Sequence, residues 1–425
     1  MLEDIRRLAV PIDDGIDTLL EAIGDARFVL LGEASHGTSD YYTYRAEITK
    51  RLITERGFDF VAVEGDWPDC FWINLWVKGR ADARRNAHEV LGDFERWPTW
   101  MWANEEVASF LEWLRLHNAS SGNRVGFYGL DVYSLWDSLY VVFEYLREHH
   151  PGHLDTARSA VRCFEPYAED PQRYAWATRM LPDACVDEVV SLLADVRGRA
   201  GTLDGEPEAE LDAVQNAEVV AGAERYYRAL VGSDDQSWNV RDIHMTDTLD
   251  RLVAHDSPDA KAVVWEHNTH IGDARATPMR GAGLVNVGQL VRERHARDGV
   301  FLCGFGGHRG SVIASDAWGS DATRFPVPSA QAGTHEALLH EGLGVPSVLV
   351  FGRDRSGPWL SSTRGHRAIG VVYDPGAERY GNWVPTIMGK RYDAFVYFDQ
   401  TSALHPLHGE PIAYRAEKET YPWAV

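Results

Sequence analysis

Short apolar runs recur along this chain, and they constrain its fold more than any other feature. They are ARFVLL (26–31), FDFVAVE (58–64), RVGFYGLD (124–131), AVVWEH (262–267), VFLCGF (300–305), SVLVFG (347–352), AIGVVY (368–373) and AFVYFD (394–399). Most are apolar at consecutive positions rather than alternate ones, the pattern of strands buried on both faces. Segments of helical period fall between them, over 39–56, 68–78, 104–117, 134–149, 240–254, 284–296 and 333–342. Strands alternating with helices predict an α/β fold: a mostly parallel central sheet with helices on both faces. The first crossover is well punctuated, with Thr38 and Ser39 placed to cap its helix and Gly57 to end it.

Between about 151 and 238 the strand pattern stops. DEVVSLLADVRGRA and EAELDAVQNAEVVAGAERYYRAL repeat at about 3.6 residues, with TLDGEPE (202–208) as a turn between them. The chain therefore divides into a first part of the α/β core over 1–150, an all-helical insertion or cap over 151–238, and a second part of the core over 239–425.

Charge narrows the partners. A formal net charge of −22 and a pI near 5.2 would repel nucleic acid and anionic membrane surfaces. Cys70, Cys163, Cys185 and Cys303 are scattered, without a CxxC pair, and Cys303 reads as a buried thiol in a strand. The first residues, MLEDIRRLAV, lack an apolar signal core, and no stretch approaches the ~18 apolar residues of a membrane span. The expectation is a cytoplasmic protein of a reducing compartment, monomer or homodimer, with a small-molecule substrate and no nucleic-acid or membrane partner.

Ligands on open α/β sheets bind beyond the carboxyl ends of the strands, and several runs finish there with ionisable groups. FVLLG is followed by Glu33 and His36, and FVAV by Glu64 and Asp66. FYGL is followed by Asp131, VVW by Glu266, His267 and His270, and FLCGF by His308. Groups crowded in this way form a site with perturbed proton affinities. Arg45 sharpens the case: on a helical wheel it falls beside the apolar stripe of Tyr41, Tyr44, Ile48 and Leu52. A buried guanidinium demands a partner, and Glu33 and Glu64 are the candidates. The pair either braces the first β-α-β unit or orients His36 and a substrate carbonyl.

Other chemistries compete on paper. His267 and His270 in EHNTH could join Glu33 or Glu64 around a metal, although HExxH is absent. Ser35 in EASHG resembles a nucleophile elbow but has Glu33 where that turn needs glycine. GFGGHRG (304–310) lacks dinucleotide-binding spacing and no P-loop is present, so no cofactor is expected. The aromatic segments DWPDCFWINLW (66–76), which contains Trp67, and RWPTWMW (96–102) serve either core packing or a wall for a bulky ligand.

GEASHG followed by Arg45, VAVEG one helix later, and WEHNTHIGDARA together resemble the erythromycin esterase family. The likeness continues through NVGQLVRER (286–294), SDAWG (315–319), THEALLHE (334–341), RAIGVVYDP (367–375) and YDAFVYFDQTSALHPL (392–407). The resemblance implies hydrolysis of a macrolide-type or other bulky lactone ester without a covalent serine intermediate, on a fold other than that of the serine α/β-hydrolases. It implies that His36 is the general base and that Glu33, Arg45, Glu64, His267 and His270 surround it. Asp131, Trp67, Glu266, Asn268 and His308 are then candidates for substrate binding. Where relatives carry a T-Y-x-G-like stretch this chain reads GGHRGSV, so His308 and Arg309 are expected to alter the pocket. A metal-dependent hydrolase and a non-catalytic natural-product-binding protein are the alternative readings.

Overall fold

The apolar runs gather into one sheet. The structure, a computed structural model, describes residues 1–80, 85–122, 124–167, 171–181, 184–199, 207–231 and 234–408. Its strands are β1 (Ala9–Pro11), β2 (Phe28–Leu31), β3 (Phe60–Val63), β4 (Gly126–Gly129), β5 (Ala262–Trp265), β6 (Val300–Ser315), β7 (Ala322–Val327), β8 (Ser347–Val350), β9 (Thr363–Arg367), β10 (Trp383–Ile387) and β11 (Ala394–Thr401). The main sheet has the order β1-β8-β11-β6-β2-β5-β3-β4, with β7 added on β6. From β11 to β4 the neighbours are parallel, while β1, β8 and β7 join antiparallel. The fold is thus α/β with a mostly parallel central sheet.

The side chains explain why the central strands are apolar throughout. Val29, Leu31, Val61, Val63, Val263 and Trp265 face one hydrophobic core. Phe28, Leu30, Phe60, Ala62, Ala262 and Val264 face a second core on the opposite side. Helices cover both faces, so each strand buries both sets of alternating residues. The first crossover helix spans Ser39–Arg56 and stops at Gly57, whose φ of 65° suits glycine. Thr38 makes no side-chain cap there; its hydroxyl pairs with that of Ser35 instead.

Two expectations about strands are corrected. AIGVVY (368–373) forms only isolated bridges, Ser35 to Ile369 and Ser315 to Val372, and the strand precedes it as the polar β9, paired with β10 outside the main sheet. β6 continues past Phe305 to Ser315, because β11 and β7 both pair with that extension.

The described residues of the insertion are mostly helical, including Leu154–Phe164, Val186–Arg197 and Pro207–Leu230, joined by turns. Residues 202–206 of the expected turn lie outside the described residues. The cap has its own core, in which Leu139 and Leu146 of the Leu135–His149 helix meet Phe164, Tyr174, Leu192 and Tyr226. The boundary drawn at 238 falls inside the Asp234–Asp256 helix. Cys163 and Cys185 are joined by a disulfide within the cap, while Cys70 and Cys303 are buried thiols. That bond pairs two of the four cysteines that look scattered in the sequence. Among the described residues no helix is long and apolar enough to cross a membrane.

Candidate active site

β2 ends at Leu31, and the chain turns through Gly32 to place Glu33 and His36 beyond the carboxyl edge of the sheet. His36 Nδ1 lies 2.8 Å from Glu33 Oε1. The carboxylate accepts, so Nδ1 carries the hydrogen and Nε2 is the basic nitrogen. Glu33 Oε2 lies 3.0 Å from Arg45 Nη1. Arg45 is 0 % exposed, and its guanidinium sits against the rings of Tyr42 and Trp265, at 4.4 and 4.7 Å. None of its nitrogens has hydrogen-bond geometry to an acceptor, so charge and the aromatic faces hold it. The buried stripe predicted this inward position. Of the two expected partners, only Glu33 makes the ion pair.

Glu64 belongs to a second group. It follows β3, as Asp131 follows β4, and Arg241 stands between them. Arg241 Nη2 lies 2.8 Å from Glu64 Oε1 and 2.7 Å from Asp131 Oδ2. His270 Nδ1 lies 3.0 Å from Asp242 Oδ1, its Nε2 lies 3.3 Å from Glu64 Oε1, and Trp238 stacks on its ring at 4.7 Å. Burial works against charge on His270, but the Asp242 and Glu64 carboxylates outweigh it and push its pKa up to about 9. Glu64 is buried too, yet His270 and Arg241 hold its carboxyl well below the usual range. Sequence reasoning missed Trp238, Arg241 and Asp242. The same wheel that located Arg45 would have found Asp242, four residues from Trp238 and three from the buried Met245.

His267 joins the two groups. Its backbone N–H donates to Glu64 Oε2 at 2.9 Å, and its ring centre is 4.9 Å from that of His36. The N–H of Thr269 donates to His267 Nδ1 at 3.3 Å, so the ring hydrogen sits on Nε2. That Nε2 is buried without a partner. Burial, with His36 alongside, drives the pKa of His267 well below its ordinary value, which keeps the ring neutral. His267 and His270 therefore diverge: one is a neutral ring beside His36, while the other is a charged group already committed to two carboxylates. Glu266, between Trp265 and His267, is 1 % exposed with both carboxyl oxygens unpartnered. Burial pushes its pKa well above the usual range, so it is held as the neutral acid.

A cavity of about 50 Å³ reaches this cluster at Glu64, Asp131 and Arg241. Phe94, Trp97, Trp102 and Trp318 also line it, and Trp97 meets Trp318 with ring centres 5.0 Å apart. Asp69 lies in the same wall, where burial and the Asp66 carboxylate push its pKa up to about 8. The structure thus brings together Glu33, His36, Arg45, Glu64, Asp131, Glu266, His267 and His270. Of the expected site residues only Glu64 and Asp131 line the cavity itself; Glu33, His36, Arg45, Glu266, His267 and His270 do not, and neither do Trp67, Asn268 and His308. Trp67 stacks on Phe71 and Tyr128 and donates to Asp212; His308 stacks on His340 at 3.9 Å; Asn268 is bonded to the backbone of Phe305. Of the aromatic segments, 96–102 supplies cavity wall, while Trp67, Phe71 and Trp76 of 66–76 are buried in packing. The Ser35 hydroxyl pairs with Thr38 rather than with a histidine. Among the described residues no three of His, Cys, Asp and Glu are arranged to hold a metal ion.

The sequence model described as "Erythromycin esterase" matches residues 53–401. Erythromycin esterase type II of Escherichia coli is 21% identical over 370 residues, covering 80% of this chain and 84% of that protein. A crystal structure of a Bacillus cereus protein aligns with a TM-score of 0.80 at 18% identity, covering 96% of this chain and 98% of the other. A mutant of the erythromycin esterase EreC in its open conformation aligns with a TM-score of 0.66 at 17% identity, covering 91% and 93%. At these identities the solved structures show a shared fold.

Proposed function

Since the chain belongs to the erythromycin esterase family, we propose that it hydrolyses the ester of a macrolide-type or other bulky lactone with water activated by His36. The observation that carries this reading is the Glu33–His36 hydrogen bond with the donor of His267 alongside. Glu33 fixes the imidazole with its lone pair on Nε2 and stabilises the imidazolium that forms when water surrenders its proton to it. The water oxygen attacks the ester carbonyl, and negative charge develops on the carbonyl oxygen. His267, beside His36, and the Arg45 guanidinium, beside Glu33, are the donors that serve that oxygen in this reading. Collapse of the tetrahedral species expels the alkoxide, which takes back the proton from His36. The products are an acid and an alcohol, one ring-opened molecule when the ester is cyclic.

Arg241 and the charged His270 offset two of the three carboxylate charges of Glu64, Asp131 and Asp242 beside this centre. The cavity volume of about 50 Å³ is far below the roughly 300–1,000 Å³ of a small-molecule pocket. A bulky lactone therefore needs this cavity to widen, with Trp97 and Trp318 of its wall then lying against the substrate.

The test is a panel of macrolides and simpler lactones incubated with the wild type and with His36→Gln, read by mass gain of one water. The wild type is expected to open at least one member. The variant is expected to lose about 10²–10⁴-fold in kcat, the range for removal of a general base, with its fold retained. A wild type that binds but opens no lactone would mark a binding protein instead, and a fully active variant would remove His36 from the chemistry.

A further inference from the structure

Behind His267 runs a chain of buried polar groups that the hydrolysis described above does not use. Asn268 is at its head. Its backbone N–H donates to the carbonyl oxygen of Glu33 at 2.8 Å, and its own carbonyl accepts from Arg391 Nη2 at 2.9 Å. Its side-chain Nδ2 donates to the Phe305 carbonyl at 2.6 Å and to His366 Nε2 at 3.2 Å. The Phe305 N–H donates to its Oδ1 at 3.2 Å. His366 Nδ1 lies 2.5 Å from Glu336 Oε1, which also accepts the N–H of Arg367 at 2.9 Å. Asn268, His366 and Glu336 are all buried.

The direction of each bond is forced. His366 accepts on Nε2, so its hydrogen is on Nδ1 and is donated to Glu336. With His366 in that form, turning the Asn268 amide over would set its oxygen against two acceptors and its NH₂ against the Phe305 N–H. The amide therefore has one orientation, and in that orientation it ties the loop of Glu33 to β6 directly beside His267.

We propose that Asn268 is a positioning residue that sets the distance between the Glu33–His36 pair and His267, with Glu336 and His366 locking its amide. This role rests on reading His36 and His267 as the reacting pair. Asn268 acts through the backbone, on the Glu33 carbonyl on one side and on Phe305 of β6 on the other. A misplacement of about 1 Å in such a constellation costs roughly 10²-fold in rate.

Asn268→Asp keeps the size and replaces a donor by an acceptor facing Phe305 and His366. Its kcat on whichever panel ester the wild type opens is expected to fall about 10²-fold at neutral pH, with KM unchanged. His366 is faced by Glu336, His335, Arg367, Arg391 and Tyr392. On acidification it would take up a proton and donate to the new carboxylate, so the variant's deficit in kcat relative to the wild type narrows at lower pH, although both decline as His36 is protonated. His366→Gln offers an oxygen to Asn268 and is expected to rescue most activity, whereas His366→Phe is not. These two variants carry the test if Asn268→Asp does not fold. Wild-type kcat in both Asn268→Asp and His366→Phe would overturn the proposal. A second readout needs no ester: the imidazole resonances of His36, assigned with His36→Gln, are followed against pH in histidine-labelled protein. Their midpoint is expected to move in Asn268→Asp and His366→Phe, and an unmoved midpoint overturns the proposal. A wild type that opens no ester, together with a moved midpoint, sinks the hydrolysis and leaves the positioning role standing.

Discussion

Arg45 shows how far a single residue can be read. Its place beside an apolar stripe announced that it would be buried, and burial announced a carboxylate partner. Which carboxylate was not legible, because the competitor that occupies Glu64 is Arg241, far away in sequence. Removing the guanidinium leaves Glu33 charged and buried, so Arg45→Ala should cost about 3–5 kcal/mol, measured as the shift in urea unfolding free energy. His267→Phe, which keeps a ring but removes the Nε2 donor, should lower kcat by about 10²–10³-fold, as expected for one oxyanion donor. His270 carries a pH signature. Its pKa is raised from an ordinary 6.5 to about 9 in the folded protein, so folding favours its protonated form. That contribution is complete below pH 6.5 and is lost as pH rises towards about 9. The stability gap between the wild type and His270→Gln should therefore narrow across this interval in urea titrations, and a gap that stays constant would contradict the charged state.

At the scale of elements, the helices and central strands were legible because their periodicity is imposed by burial. The Ser39–Arg56 helix has the limits read from its sequence. β9 and β10 were not legible: TRGHR is polar, and its His366 and Arg367 are buried through hydrogen bonds rather than through apolar contact. The extension of β6 was hidden for a similar reason, since its partners β7 and β11 come later in the chain. The turn after β2 explains a residue that the sequence left as punctuation. A methyl group on Gly32 would overlap Asn268 Oδ1 and crowd Ile271. Gly32→Ala should cost about 1–3 kcal/mol through overpacking, and it should lower kcat as well, because the strain falls on the Asn268 amide. Thermal unfolding and turnover measured on the same preparation would check both effects.

For the molecule as a whole, strand order was beyond the sequence. Parallel neighbours need long crossovers, and an apolar run does not say which other run it will lie beside. The strand ends nevertheless pointed at the ionisable cluster, since β2, β3, β4 and β5 each deliver one of its residues at the same edge. The cap is closed by a bond between Cys163 and Cys185, 22 residues apart. Cys163→Ala should lower stability by about 3 kcal/mol on the chain-entropy account of a loop near that size, read as a lower thermal midpoint under non-reducing conditions.

The Asp234–Asp256 helix leaves the cap and delivers Arg241 and Asp242 to the cluster. One inserted or deleted residue between its start and Arg241 would turn these two side chains by about 100° about the helix axis, presenting Val240 or Asp242 to Glu64 and Asp131. Changes in length are thus admissible in the cap upstream of this helix and inadmissible within its first two turns. Relatives that differ in what they admit should differ in length before that point and keep the count of residues after it.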